Sequence, residues 1–402
     1  MGNPGVREQA SERCPMRALL IQPGARHGYA LARFLQQAGA LQGLYTDFAV
    51  TAGSVDHMLV NALAAIGIGG KLSRRVIEGV PASALRRHSL PTLLARKFSP
   101  NLPERWNFRE ADLRQADIVY AQYFVGGAQF DELTAHRARF ISDVFIMPSA
   151  HRIGSREAVL FPDWGEAPLS REAGAALDAV SVAMIERSHA LFCPSQSVID
   201  DVATYLPSAR AKCRLVRYGS SLSFPEPGRP IPKRILFAGS IQLRKGPQYL
   251  AQAAARIARI DPDIRFVFAG GVPAAAAEQL SAPNIELLGH VSRERMRAEF
   301  LQADIFAFPS LAEGSAGVVL EAMAAGLPIV ATREAGVEFA DGESGIVVPA
   351  ADVDALEAAI LRIVGDRPLR DAMARSARAE FAAYDDHAWA AAFVGALQEF
   401  AH

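Results

Sequence analysis

The chain twice sets up an alternation of short apolar runs, each the length of a buried strand, with longer stretches of helical apolar period. It breaks that alternation once. In the first series Arg17 to Gln22 (RALLIQ) reads as a strand, PGARHG as a glycine-bearing turn, and Tyr29 to Gln37 as an amphipathic helix that stops near Gly39. Further strand candidates follow at Leu44 to Thr46, Ile118 to Ala121, Arg139 to Ser142, Leu191 to Cys193 and Cys213 to Arg217. The break is residues 219–232, GSSLSFPEPGRPIP, whose four prolines and two glycines mark a linker. The series then restarts with strand candidates Arg234 to Ala238, Arg265 to Ala269, Ile285 to Leu288, Ile305 to Phe308 and Ile329 to Ala331, interleaved with helices near 247–260, 292–302 and 317–325. Strands that alternate with helices pair in parallel, so the pattern predicts an α/β protein of two Rossmann-like, doubly wound domains. The expected boundaries are a disordered tail over 1–15, a first domain over 16–218, the linker over 219–232, a second domain over 233–384, and a terminal helix over 385–402.

A chain of 402 residues is long enough for two cores, in keeping with that division. The net charge of −1, from 42 basic and 43 acidic residues, gives no reason to expect a nucleic-acid partner, so an anionic ligand has to be met locally. Three scattered cysteines, Cys14, Cys193 and Cys213, fit neither a disulfide framework nor a metal cluster. No apolar run of membrane-spanning length appears and the opening residues lack the apolar stretch of a signal peptide, which together suggest a cytoplasmic protein.

Residues 55–110 fit the alternation poorly. Within 71–97 seven basic residues (Lys71, Arg74, Arg75, Arg86, Arg87, Arg96, Lys97) face one acid, Glu78, among aliphatic side chains. This basic, partly amphipathic insertion reads either as a solvated helical cap or as an interfacial surface for peripheral contact with anionic lipid at the inner face of a membrane.

Ligands of open α/β sheets gather at the carboxyl ends of the strands. There the segment IFAFPSLAEGSAGVVLEAMAA, residues 305–325, reads as a strand, a loop of small residues and a helix beginning near Gly317. A helix start with little side-chain bulk before it stabilises a diphosphate through its unpaired amides, which points to Ala316, Gly317 and Val318. Glu321 falls about one turn into that helix, placed to accept hydrogen bonds from a ribose diol, and Glu313 precedes it on the sugar side. From the two acids alone, a pair of solvated glutamates is an equal reading.

EGSAGVVLEAMAAGLPIVAT resembles the donor motif of glycosyltransferase family 4, in which two glutamates eight positions apart are followed by EAMA and a Gly-Leu-Pro turn. RILFAGSIQLRKGPQYLAQAAARI and NIELLGHVSRERMRAEFLQADIFAFPS look like the opening and middle of the same donor domain. The resemblance implies a GT-B fold, two Rossmann-like domains facing across a cleft, with the acceptor domain first and the donor domain second. It further implies a donor diphosphate clamp at Arg244 and Lys245, with Gly239 and Ser240 beside it; Ser240 stands where the family often has arginine. By the same likeness Gly289, His290 and Val291 bracket the nucleobase through their main chain. Gly24 and Gly28 offer a glycine-rich approach to the diphosphate, with Arg26 and His27 as extra contacts. His151, in SDVFIMPSAHRI, takes the position of a histidine that contacts the transferred sugar, and the last helix crosses back to the first domain.

The function so implied is retaining transfer of a hexosyl-type sugar from a nucleoside diphosphate sugar to a hydroxyl of a glycan, a lipid-linked or a small-molecule acceptor. Glu313, His151, Lys245 and Arg244 form the catalytic set, retention arises by same-face attack, and no cofactor or metal is expected because no acidic pair sits beside a suitable loop. Alternatives are a nucleotide-sugar-binding protein without transferase activity, a GT-B epimerase or phosphorylase, and a two-lobed binding protein, which the missing signal peptide disfavours.

Overall fold

The computed structural model describes residues 16–65, 75–87, 106–122, 128–220, 222, 224–225 and 228–401. Its contacts divide the chain into two compact units, one built from residues up to 140 with 394–402, the other from 141–393. The expected tail lies outside the described residues.

The first unit is centred on β1 (Ala18–Ile21). On one side β1 pairs in parallel with β2 (Leu41–Thr46), aligning Leu20 with Leu44, and on the other with β6 (Ile118–Ala121), aligning Leu20 with Tyr120. All four residues of β1 are buried, as a parallel strand covered on both faces requires. A short separate pair, β3 (Val50–Thr51) with β4 (Val76–Ile77), stands apart from this sheet. The basic insertion contributes an edge strand that its composition did not announce: β5 (Leu85–Arg87) pairs in parallel with β2. Its described cations are spoken for by carboxylates, Arg75 with Asp47 at 2.6 Å, Arg86 with Asp112 at 2.8 Å, and Arg87 with Asp56. Lys71, Arg74, Arg96 and Lys97 lie outside the described residues.

The second unit holds β7 (Arg139–Asp143) from Ile141 onward, β8 (Ala190–Cys193) and β9 (Cys213–Leu215), paired in that order in parallel. It also holds a six-stranded parallel sheet in the order β12-β11-β10-β13-β14-β15. These strands are β10 (Arg234–Ala238), β11 (Arg265–Ala269), β12 (Ile285–Gly289), β13 (Ile305–Phe308), β14 (Ile329–Ala331) and β15 (Gly345–Val347). The order reverses between β10 and β13, the kind of switch point at which loops open a crevice above the strand ends. Phe237, Phe268, Phe306 and Phe308 fill the core around it.

The compact units part after Phe140, ahead of the proline-rich linker at 219–232. Residues 141–218 pack with the second series because Ala158 and Trp164 enter its core. The terminal helix, Asp386–Gln398, buries Trp389 and Phe393, which meet Tyr218 and Phe192 at centroid distances of 5.4 and 6.3 Å. No helix among the described residues is long and apolar enough to cross a membrane.

Candidate active site

The carboxyl end of β10 runs through Gly239 and Ser240 into a single 3-10 turn, Leu243–Lys245, and then the helix Pro247–Ile260. The junction is Gly246, at φ +75°, where a Cβ would stand 1.9 Å from the carbonyl oxygen of Pro309. Only glycine fits that approach, and proline at the first helical position presets the next residue. The carbonyl of Arg244 accepts from Leu311 N at 2.7 Å and Ser310 Oγ at 3.2 Å, tying the basic turn to the loop that leaves β13.

Three charged side chains meet there. Arg244 Nη1 donates to Glu313 Oε1 at 2.8 Å and to Ala312 O at 2.9 Å, while its Nη2 reaches Gln242 Oε1 at 3.2 Å. Lys245 Nζ stands 4.0 Å from the same Glu313 oxygen, beyond hydrogen-bond reach. Burial depresses the ammonium pKa of Lys245, Arg244 adds to the effect, and the Glu313 carboxylate opposes it. Two cations sharing one carboxylate leave a site of net positive charge, with Lys245 the less committed of the two.

The loop before the helix Gly317–Ala325 is tightly seated. Glu313 N donates to Glu334 O at 2.9 Å, and a Cβ at Gly314 would lie 1.8 Å from Phe145 O. Ala316 N is committed to Ala335 O at 2.9 Å, which withdraws one of the three amides expected to face phosphate. Gly317 and Val318 occupy the first two helical positions, where no carbonyl of the same helix can reach their amides. Glu321, half-buried one turn on, has its carboxyl pKa raised by desolvation, with Arg293 acting in opposition. Across the neighbouring strands, Gly289 O accepts from Gly270 N at 2.9 Å, His290 is exposed and Val291 half-buried.

His151 lies among contacts that the sequence does not show. At the start of the helix Ala150–Leu160 its Nδ1 lies 2.9 Å from Pro148 O, while its buried Nε2 stands 3.0 Å from Asp178 Oδ1 without making a hydrogen bond. The chain signal, a histidine after a strand, does not reveal a carboxylate 27 positions away.

In the first unit Gly24 N donates to Asp47 Oδ1 at 2.9 Å, and buried Gln22 bonds the carbonyls of Gly24 and Arg26. His27, Gly28 and Tyr29 follow one another in left-handed conformation, at φ 48°, 56° and 62°. Burial, reinforced by Arg26, holds the His27 pKa down at about 4. Two non-glycine residues in that region are a local strain that surrounding contacts must sustain; Tyr29 does so by donating its hydroxyl to Phe48 O at 3.0 Å.

Comparison with known proteins places this geometry. Residues 232–366 match the family described as Glycosyl transferases group 1. The chain is 29% identical over 369 residues to the D-inositol 3-phosphate glycosyltransferase of Nocardia farcinica, covering 82% of this chain and 75% of that protein. It is 26% identical over 274 residues to the glycogen synthase of Mycobacterium tuberculosis, covering 65% and 63%. Among solved structures, Anabaena HepE in complex with UDP and glucose superposes with a TM-score of 0.60 at 16% identity, covering 96% of this chain and all of that one. Sucrose-phosphate synthase from Thermosynechococcus elongatus gives 0.62 at 18%, covering 96% and 98%. The fold is GT-B. Residues 232–366 carry the glycosyl transferases group 1 domain, and the chain is a glycosyltransferase.

Proposed function

We propose that the protein transfers a hexosyl-type sugar from a nucleoside diphosphate sugar to a hydroxyl, with retention at the anomeric carbon and without a metal. The observation that carries this reading is the Arg244, Lys245 and Glu313 cluster at the strand switch point, on the loop that leads into the helix starting at Gly317 and Val318. Charge builds on the departing diphosphate, and preorganised cations and amides stabilise it without reorganising. Lys245 takes the direct contact with the phosphates. Arg244, already held by Ala312 O and Gln242, acts more on Glu313, turning its carboxylate toward the sugar. Glu321 accepts the ribose hydroxyls, and main chain near Gly289 to Val291 reads the base.

UDP-glucose is the first donor to try, since HepE was solved with UDP-glucose. The named relatives differ in acceptor, one called for D-inositol 3-phosphate and one for glycogen, so the acceptor is proposed no more finely than a hydroxyl of a polyol or glycan.

The test is a thermal-shift panel of uridine, guanosine and adenosine diphosphates on wild type, Glu321→Ala and Lys245→Ala, followed by transfer assays with and without EDTA. The expected result is stabilisation of the wild type by one nucleotide, loss of it in both variants, and transfer unaffected by chelation. If no nucleotide stabilises the wild type, or both variants respond as it does, the donor site is misassigned.

A further inference from the structure

The basic turn is gripped by carboxylates that lie before the 219–232 break in sequence. Glu166 Oε1 accepts the amide of Leu243, the residue preceding Arg244, at 2.7 Å. The carbonyl of Leu243 accepts Gln248 Nε2 at 2.9 Å, and the same nitrogen lies 3.2 Å from Glu157 Oε2. Glu157 is fully buried, and its Oε2 also accepts the hydroxyl of Tyr249 at 2.7 Å. Its other oxygen lies 3.1 Å from Arg156 Nη2. Burial raises the Tyr249 pKa, so the phenol stays protonated and remains a donor. A carboxylate with no solvent contact is costly unless its oxygens are satisfied; here three donors meet it, and one of them passes the constraint to Leu243. The helix that bears Glu157 also brings Gly154 within 4.0 Å of Arg244 Cβ, measured from a Cβ placed on the glycine.

We propose that Glu166, and Glu157 through Gln248, are positioning residues that fix the backbone of the Leu243–Lys245 turn so that its two cations are set for a diphosphate. Neither touches the ligand. The inference rests on the donor-site reading above, and it adds that residues 157–166 tune a clamp whose cations come from the second series.

The measurement is UDP affinity by calorimetry, with donor KM and kcat, for wild type, Glu166→Ala, Glu166→Gln, Gln248→Leu and Lys245→Ala. Losing one charge-assisted bond to the turn amide is expected to weaken UDP binding and raise donor KM about tenfold in Glu166→Ala. Kcat should change much less. Glu166→Gln, which keeps an acceptor oxygen, should recover most of the affinity, and Gln248→Leu should lose a few-fold. A lower melting temperature with unchanged UDP affinity in Glu166→Ala would mean a merely structural carboxylate and overturn the proposal. Should Glu166→Ala fail to fold, wild-type affinity in Gln248→Leu overturns it equally. The control separates the two readings: if Lys245→Ala binds UDP as wild type does, the anion clamp fails and the positioning role with it. If Lys245→Ala loses UDP while the Glu166 and Gln248 variants keep it, only the positioning role fails.

Discussion

Two loops in this molecule do the same topological job, carrying a buried parallel strand into a helix, and they are held in opposite ways. The loop after β10 enters its helix at a left-handed glycine, Gly246, wedged under a carbonyl. The loop after β1 reaches its helix through three left-handed residues in a row, two of them not glycine, with open space around Gly28. The first is fixed by steric exclusion and by hydrogen bonds to its backbone; the second stores conformational strain and leans on Tyr29 and Asp47. A rigid loop suits a cluster of charges that must not reorganise, whereas a strained one is suited to moving when something arrives.

The sharpest way to break that comparison is to add one methyl to each. Gly246→Ala forces Cβ into the Pro309 carbonyl and should cost more than about 3 kcal/mol, abolishing a cooperative melt or lowering it by many degrees. Gly28→Ala meets nothing closer than the Arg33 side chain at 4.0 Å and pays only the left-handed penalty, about 1–2 kcal/mol. Equal losses in urea titrations would mean that the two loops are constrained alike.

Next in size is the split between the two cations. Lys245→Ala removes the less committed charge and should lower kcat/KM for the donor by about a hundredfold, roughly 2.7 kcal/mol. Arg244→Ala also loosens Glu313 and the Ala312 carbonyl, so its loss should fall more on kcat than on KM. If instead Arg244→Ala raises KM alone and Lys245→Ala leaves it untouched, the roles are reversed.

What the sequence made legible follows the same divide. Five of the six strands of the second series appear within a residue of where periodicity put them, because buried parallel strands are largely apolar runs, while β15 went unread; Gly317 does open the helix that bears Glu321. Glu313 and Glu321 could be singled out because they lie in one contiguous motif. Hidden from the sequence were contacts between distant segments: Glu157 with Tyr249, Glu166 with Leu243, Asp178 with His151, and the Ala335 carbonyl that occupies the Ala316 amide. None of these has a local signature, since each depends on which helix lies beside which turn. The ion pairs of the insertion were hidden for a related reason: Arg75, Arg86 and Arg87 meet Asp47, Asp112 and Asp56, partners that the local composition does not show.

The smallest expected effect concerns pH and sets the loop after β1 against the helix Gly317–Ala325, because in each burial disfavours the charged form of a titratable group. His27 has a folded pKa of about 4 against an ordinary 6.5. Between those values the unfolded chain takes up a proton that the fold resists, so stability falls as pH drops from about 6.5 toward 4. Glu321 has a raised pKa, so just above the ordinary value of 4.5 the fold keeps a proton that the unfolded chain has released. Its contribution is therefore present below 4.5 and is lost as pH rises through the folded pKa. His27→Asn, which tolerates the left-handed backbone, should flatten the acid limb by on the order of 1 kcal/mol, discounted because the ring is partly exposed. Glu321→Gln should be more stable than the wild type at neutral pH yet bind nucleotide less well, since a diol is held better by a carboxylate than by an amide. If Glu321→Gln loses both stability and nucleotide at pH 7, desolvation does not govern that glutamate, and the charged Arg293 is its true partner.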